Sequence, residues 1–176
     1  MPTIVPIDAV PTQLHEQLLD AAFGADRTSR TAYRIREGLE HLVPLSFAAL
    51  DDEDYLAGTI ELWPVSLTDE DGRQYPLLMV GPVAVAPSRQ NEGYGRALMA
   101  AALGAVEGPA SLENPALPQV LIGDPDYYAK WDFVAGPTAE WDTPGPVERH
   151  RLLVRCANPA VLPRRGMLGP WRKDAG

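Results

Sequence analysis

A glycine-containing loop is the part of this sequence whose residue types and spacing best suit chemistry. It lies between an apolar segment, residues 75–86, and an alanine-rich segment, residues 97–107. Glycines at the start of a helix leave backbone N–H groups uncovered, and these donors, with the positive end of the helix dipole, favour phosphate oxygens. The candidate phosphate ligands are Arg89, Gln90, Asn91, Glu92, Gly93, Tyr94, Gly95 and Arg96. The alternative is that Gly93 and Gly95 only shape a tight turn.

Two common phosphate-binding motifs do not fit this loop. The dinucleotide fingerprint requires a third glycine where Leu98 stands, and the Gly-Lys-Ser/Thr of the P-loop occurs nowhere in the chain. Residues 90–95 instead resemble the Q/R-x-x-G-x-G/A signature of the GCN5-related N-acetyltransferase (GNAT) superfamily. That family carries the signature between its fourth strand and third helix, after a V-x-P segment that Val85-Ala86-Pro87 matches.

A second segment, residues 123–133, is similar to the part of the family that follows its fifth strand and often reads Tyr-Tyr, three residues, Gly-Phe. Tyr127 and Tyr128 match the tyrosines, whereas Asp132 replaces the glycine, and aspartate tolerates a left-handed turn less well than glycine does. In element order the resemblance spans most of residues 3–155, with specific motifs only at residues 81–98 and 121–133. It is closest to small bacterial predicted N-acetyltransferases without an assigned substrate.

The resemblance implies transfer of an acetyl group from acetyl-CoA, as co-substrate, to a primary amine by direct attack in a ternary complex, without a metal. The amides of residues 90–95 would then hold the pyrophosphate. Val83, Ala84 and Val85 would pair with the pantetheine arm as an added strand does, and a backbone N–H there would stabilise the oxyanion. Two alternatives stay open: a non-catalytic acyl-CoA-binding or interaction module on the same fold, and binding of ATP or NAD by the loop.

The acid and base of such a reaction have separate candidates. Tyr128 matches the tyrosine that in the family protonates the departing thiolate; its alternative role is aromatic packing. Glu61, set among apolar residues, is the first candidate for the base that deprotonates the amine, and its alternative is a solvent-facing strand position. Asp124 is a second candidate base, or a cap of the helix that follows it.

Hydrophobic periodicity and turn signals place these residues on predicted elements. Helices are predicted over residues 11–23, 30–40, 93–107 and 125–131, and strands over residues 4–7, 46–50, 55–65, 75–86, 120–122 and 151–154. The acidic residues 51–54 read as a solvated hairpin turn. Pro82 has no N–H for a strand ladder, so pairing should fail near Gly81-Pro82.

The order of these elements predicts an α/β (α+β) fold with one GNAT-like domain. Its sheet would be mixed and mostly antiparallel, flanked by helices and splayed between the fourth and fifth strands. We assign residues 1–156 to this domain. Residues 157–176, rich in proline and glycine, are predicted as an irregular tail packed on the domain or extending from it.

Composition limits the partners. The formal net charge is −9 without a basic block, so no nucleic acid is expected, and cationic acceptors such as a small-molecule amine or a protein amino group suit it best. Cys156 is the single cysteine, and the three histidines have no ligand spacing, so we expect no metal and assign the histidines to surface or packing positions. No signal peptide or membrane segment is seen, so a cytoplasmic location is expected. A homodimer stays open.

Overall fold

The computed structural model describes residues 2–111 and 114–173. Its helices are α1 (Thr12–Phe23), α2 (Thr31–Ile35), α3 (Tyr94–Glu107) and α4 (Pro125–Tyr128). Its strands are β1 (Thr3–Pro6), β2 (Phe47–Leu50), β3 (Leu56–Thr68), β4 (Gln74–Val85), β5 (Gln119–Ile122), β6 (Glu140–Asp142), β7 (Leu152–Arg155) and β8 (Arg165–Pro170).

The strands form one mixed sheet in the order β1-β2-β3-β4-β5-β7, and β8 pairs with both β3 and β6. The β4–β5 and β6–β8 pairs are parallel, whereas β1–β2, β2–β3, β3–β8 and β5–β7 are antiparallel. The predicted α/β class with a mixed, mostly antiparallel sheet is therefore confirmed.

The ladder between the fourth and fifth strands is short. It pairs Leu78 with Gln119 and Met79 with Val120, and β4 continues beyond it to Val85. The ladder ends just before Gly81-Pro82, the dipeptide at which the sequence predicts a loss of pairing, because proline has no N–H to donate.

The chain forms two compact units. The first unit contains residues 1–28, 41–62 and 81–116, and the second contains residues 29–40, 63–80 and 117–176. In the first unit Leu18 and Leu19 of α1 pack with Ala84 of β4. In the second unit the core includes Ile35, Val65, Leu67, Leu77, Met79, Val120, Trp141, Leu152, Val154 and Leu168. Burial of these side chains is the main force that stabilises each unit.

Two predicted segments differ from the structure. The helix predicted over residues 30–40 is limited to Thr31–Ile35, and Gly38 has a φ of 77°, which no helix accommodates. The helix predicted over residues 125–131 is α-helical only to Tyr128 and continues as a 3-10 turn, Ala129–Trp131.

The prediction of an irregular tail over residues 157–176 is wrong at β8. This strand pairs with β3 and β6, and a Cβ atom at Gly166 would lie 2.7 Å from Cγ of Leu67. Glycine here permits a close approach of two strands, rather than marking irregular chain. Residues 174–176 of that tail, and residues 1 and 112–113 of the assigned domain, lie outside the described residues. None of the helices within the described ranges has the length and apolar character that crossing a bilayer requires.

Candidate functional site

The N-terminus of α3 has the open geometry that binding of a phosphate group requires. Gly93 caps the helix in the left-handed conformation with a φ of 90°, and a Cβ atom there would meet no other atom within 4 Å. The N–H of Ala97 donates to the carbonyl of Gly93 at 3.0 Å. The N–H groups of residues 94–96 precede this first helical hydrogen bond and so have no acceptor within the helix.

The buried face of α3 fixes this terminus in position. Leu98, Met99, Ala102, Leu103 and Val106 recur at helical spacing and are buried. On β3, a Cβ atom at Gly58 would lie 2.8 Å from the carbonyl oxygen of Ala84 and 3.0 Å from Cδ1 of Leu98. Only glycine allows β3, the end of β4 and α3 to approach so closely.

Hydrogen bonds tie the loop before α3 to the end of β4 and to β3. Gln90 donates from Nε2 to the carbonyl of Val85 at 3.0 Å, and the N–H of Ala86 donates to the carbonyl of Ala57 at 2.8 Å. Asn91 adopts a left-handed φ of 66°. The Gln90 side chain thus shapes the loop, while its backbone belongs to the predicted phosphate site.

Arg89 has a carboxylate partner. Its Nη2 donates to Oδ2 of Asp51 at 2.6 Å, and Asp51 also accepts from the N–H groups of Glu53 and Tyr55. These backbone bonds, that of Tyr55 first, and Arg89 hold the pKa of Asp51 below its usual 3.8. The prediction of a solvated acidic turn is therefore wrong for Asp51, which is only 4% exposed. Arg96 is exposed, and it forms no ion pair with any residue that the structure describes.

Glu61 is buried on β3, which excludes its alternative role as a solvent-facing strand residue. It is 4% exposed, and its Oε1 lies 2.9 Å from Nε2 of His15, which is 6% exposed on α1. The His41 ring stands edge-on to the His15 ring, with centroids 6.4 Å apart. Sequence reasoning gave His15 no site role, although Leu18 and Leu19, three and four residues later, mark the buried face of α1.

Tyr128, in the second unit, lies against a glycine. A Cβ atom at Gly123 would lie 2.4 Å from Cε2 of the tyrosine, so the ring fills the space that any side chain at 123 would occupy. Burial, followed by Tyr127 and Asp124, raises the pKa of Tyr128 to about 12. The phenol therefore keeps its proton at neutral pH, as an acid catalyst must.

The turn around Tyr128 forms as the resemblance implies. Asp124 accepts from the N–H of Asp126 at 2.9 Å and so caps α4, the second of the two roles predicted for it. Asp132 adopts the left-handed conformation, with a φ of 68°, that glycine adopts easily. The aspartate thus preserves the turn in spite of the replaced glycine.

No group of three or more His, Cys, Asp or Glu side chains within residues 2–111 and 114–173 is arranged to hold a metal ion.

The chain is similar to known acetyltransferases in sequence and in structure. The family model described as the acetyltransferase (GNAT) domain matches residues 12–112. A GNAT family N-acetyltransferase from Escherichia coli in complex with CoA has a TM-score of 0.62 and 22% identity, covering 88% of this chain and 79% of that one. A GNAT family acetyltransferase from Brucella melitensis in complex with acetyl-CoA has a TM-score of 0.56 and 24% identity, covering 89% and 97%.

A third solved structure has the same fold at lower identity. The ribosomal-protein-S18-alanine N-acetyltransferase from Escherichia coli has a TM-score of 0.52 and 15% identity, covering 88% of this chain and 90% of that one. No protein with a curated description matches the chain. At these identities the structural likeness shows the fold alone.

Proposed function

Because the chain belongs to the GNAT acetyltransferase family, we propose that it transfers an acetyl group from acetyl-CoA to a primary amine. The observation that carries this proposal is the open N-terminus of α3 behind the left-handed Gly93. The Escherichia coli and Brucella melitensis structures, which hold CoA and acetyl-CoA, support the same choice of co-substrate.

In this proposal the coenzyme binds through the backbone. The N–H groups of residues 90–95 and the dipole of α3 hold the pyrophosphate, and the guanidinium of Arg96 adds positive charge. Arg89, held by Asp51, shapes the loop beside it. Val83, Ala84 and Val85, at the end of β4 beyond the β4–β5 ladder, pair with the amides of the pantetheine arm.

The proposed reaction moves one acyl group and two protons. The neutral amine attacks the thioester carbonyl, and its N–H proton passes to the carboxylate of Glu61, directly or through a water. The C–S bond breaks as the tetrahedral intermediate collapses, and Tyr128 donates its phenolic proton to the departing thiolate. The raised pKa of Tyr128 keeps that proton in place until the thiolate forms.

The acceptor in this proposal is a small-molecule amine or a protein amino group. The formal net charge of −9 favours the approach of cationic compounds by long-range attraction. This attraction affects the rate of encounter more than selectivity within the site, so the acceptor must be found by screening.

The test combines binding with turnover. Thermal melting is measured with acetyl-CoA, ATP and NAD, since a ligand that binds only the folded state raises the melting temperature. A panel of diamines, aminoglycosides and lysine peptides is then screened for thiol release, with the acetylated amine identified by mass spectrometry. We expect stabilisation by acetyl-CoA and equal amounts of thiol and acetylated amine. Stabilisation without turnover on any amine would instead indicate the non-catalytic acyl-CoA-binding module, and stabilisation by ATP or NAD alone would contradict the choice of co-substrate.

A further inference from the structure

The carboxylate of Glu61 lies in surroundings where a charge needs a partner. Every residue from 57 to 62 on β3 is buried, so both faces of the strand are covered at this point. An ionised carboxyl group removed from water is strongly disfavoured unless a donor or a positive charge faces it. The base proposed for the amine must nevertheless be ionised to accept a proton.

The imidazole of His15 is placed to supply that donor. Its Nε2 is 2.9 Å from Oε1 of Glu61, a distance at which two lone pairs would repel each other, so one of the two atoms must carry a hydrogen. If the carboxylate is ionised, as the base of the proposed reaction must be, that hydrogen is on Nε2. The ring N–H does not point along this contact, and Nε2 has no hydrogen bond to any other group in the described part of the chain. Within the described residues, Nε2 therefore has no acceptor that competes with the carboxylate.

Other charged and titratable side chains lie on the elements around this pairing. Arg27, the buried cation near α1, is paired with Glu16 and, at 3.0 Å, with Asp20 of that helix. Glu61 on β3 and His41, in the segment before β2, face His15 from other elements, and the His41 contact is between ring edge and ring face. The chain has a second histidine–glutamate contact, His150 with Glu148 at 3.4 Å, but both of its side chains are about two-thirds exposed.

We propose that His15 is a positioning residue for Glu61, holding its carboxylate ionised and oriented to take the proton of the acceptor amine. This inference rests on the proposed function. In the step, the N–H bond of the amine breaks and an O–H bond forms on Glu61, while His15 keeps its own Nε2 proton. No electron is gained or lost by either residue.

The kinetic test compares His15→Phe, which removes the donor, with His15→Gln, which keeps one. We expect His15→Phe to lower kcat about tenfold with an unchanged KM for acetyl-CoA, the size of effect that loss of one hydrogen bond to a charged group can produce. The acidic limb of its kcat–pH profile should move to higher pH, because the carboxylate is easier to protonate without the donor. His15→Gln should restore most of kcat, and His150→Phe, at the exposed pair, should match the wild type. An unmoved acidic limb in a folded His15→Phe protein would overturn the proposal.

A second measurement requires neither a folded His15→Phe protein nor an activity. Long-range ¹H–¹⁵N spectra of the wild type report which ring nitrogen of each histidine carries a hydrogen. The signals that are missing from the spectrum of His15→Gln belong to His15. We expect a protonated Nε2 at His15; an Nε2 without hydrogen would overturn the pairing. If Nε2 carries a hydrogen but the protein acetylates no amine, the proposed function is refuted and the pairing is not. If the protein acetylates an amine but Nε2 carries no hydrogen, the pairing is refuted and the proposed function is not.

Discussion

Asp51 and Arg89, 38 residues apart in the chain, are joined by a hydrogen bond of 2.6 Å from the guanidinium Nη2 to the carboxylate Oδ2. This bond ties the turn between β2 and β3 to the loop that precedes α3. Asp51 balances the charge of Arg89, whereas Arg96 is exposed and has no ion pair among the described residues. Arg96 is therefore the arginine of this loop better suited to meet a phosphate group.

Replacing Arg96 should weaken coenzyme binding without affecting the fold. Arg96→Gln removes a charge-assisted contact to phosphate, and we expect about a tenfold higher Kd for acetyl-CoA with an unchanged melting temperature of the free protein. Calorimetric titration at low and high salt checks this, because salt screens the charge of Arg96 and should reduce the difference in Kd between the variant and the wild type. Arg164→Gln, at an exposed arginine paired with Glu140, is the control. If Arg96→Gln and the wild type bind acetyl-CoA with equal affinity, Arg96 does not contact the phosphate groups of the coenzyme.

Replacing Asp51 should lower stability in a pH-dependent way. The pKa of Asp51 in the folded protein is below its usual 3.8, so its contribution is complete above that value and is lost as the pH falls through the folded-state pKa. We expect Asp51→Asn to unfold at lower urea concentration than the wild type at pH 7, and the difference to shrink below about pH 4. A difference that stays constant down to pH 2.5 would show that the carboxylate charge is not its source.

Gly123 should be needed for the position of Tyr128. The methyl group of Gly123→Ala would lie 2.4 Å from Cε2 of Tyr128, so the ring must move. A displaced catalytic group typically reduces turnover sharply, and we expect a loss of kcat of about tenfold or more with normal binding of acetyl-CoA. Gly136→Ala, where a Cβ atom has open space, should leave both quantities unchanged. Full activity of Gly123→Ala would show that turnover does not depend on the ring position.

Tyr128→Phe should separate chemistry from binding. We expect kcat to fall about 100-fold, in the range of a lost general acid, with little change in the Kd of acetyl-CoA. Since the pKa of Tyr128 is raised to about 12, its ionisation should cause no loss of wild-type activity below about pH 10. An alkaline limb centred below pH 9 that disappears in Tyr128→Phe would contradict this pKa, and retained full activity would remove the acid assignment.

Local features of the site were predictable from the sequence, whereas contacts between distant residues were not. The helix start at Gly93 and the break at Gly81-Pro82 depend on backbone preferences of the residues themselves. The turn at Asp132 was implied only by the family resemblance, since the preference of aspartate counts against it. The Asp51–Arg89 and His15–Glu61 contacts join separate elements, and no local pattern specifies which polar groups will meet. β8 was missed for a similar reason. The role of Gly166 in this strand depends on its close contact with Leu67 of β3, which is distant in the sequence.

The most direct test of the coenzyme site is the affinity of acetyl-CoA for Gly93→Ala beside Gly72→Ala, measured by calorimetric titration. Both glycines have a φ between 80° and 90°, with open space for a Cβ atom, so both variants carry the same backbone strain. Only Gly93 precedes α3, whereas Gly72 lies in the turn between β3 and β4. We predict wild-type affinity in Gly72→Ala and a loss of about tenfold or more in Gly93→Ala. Equal affinity in the two variants would contradict the proposal that backbone donors at the start of α3 hold the coenzyme.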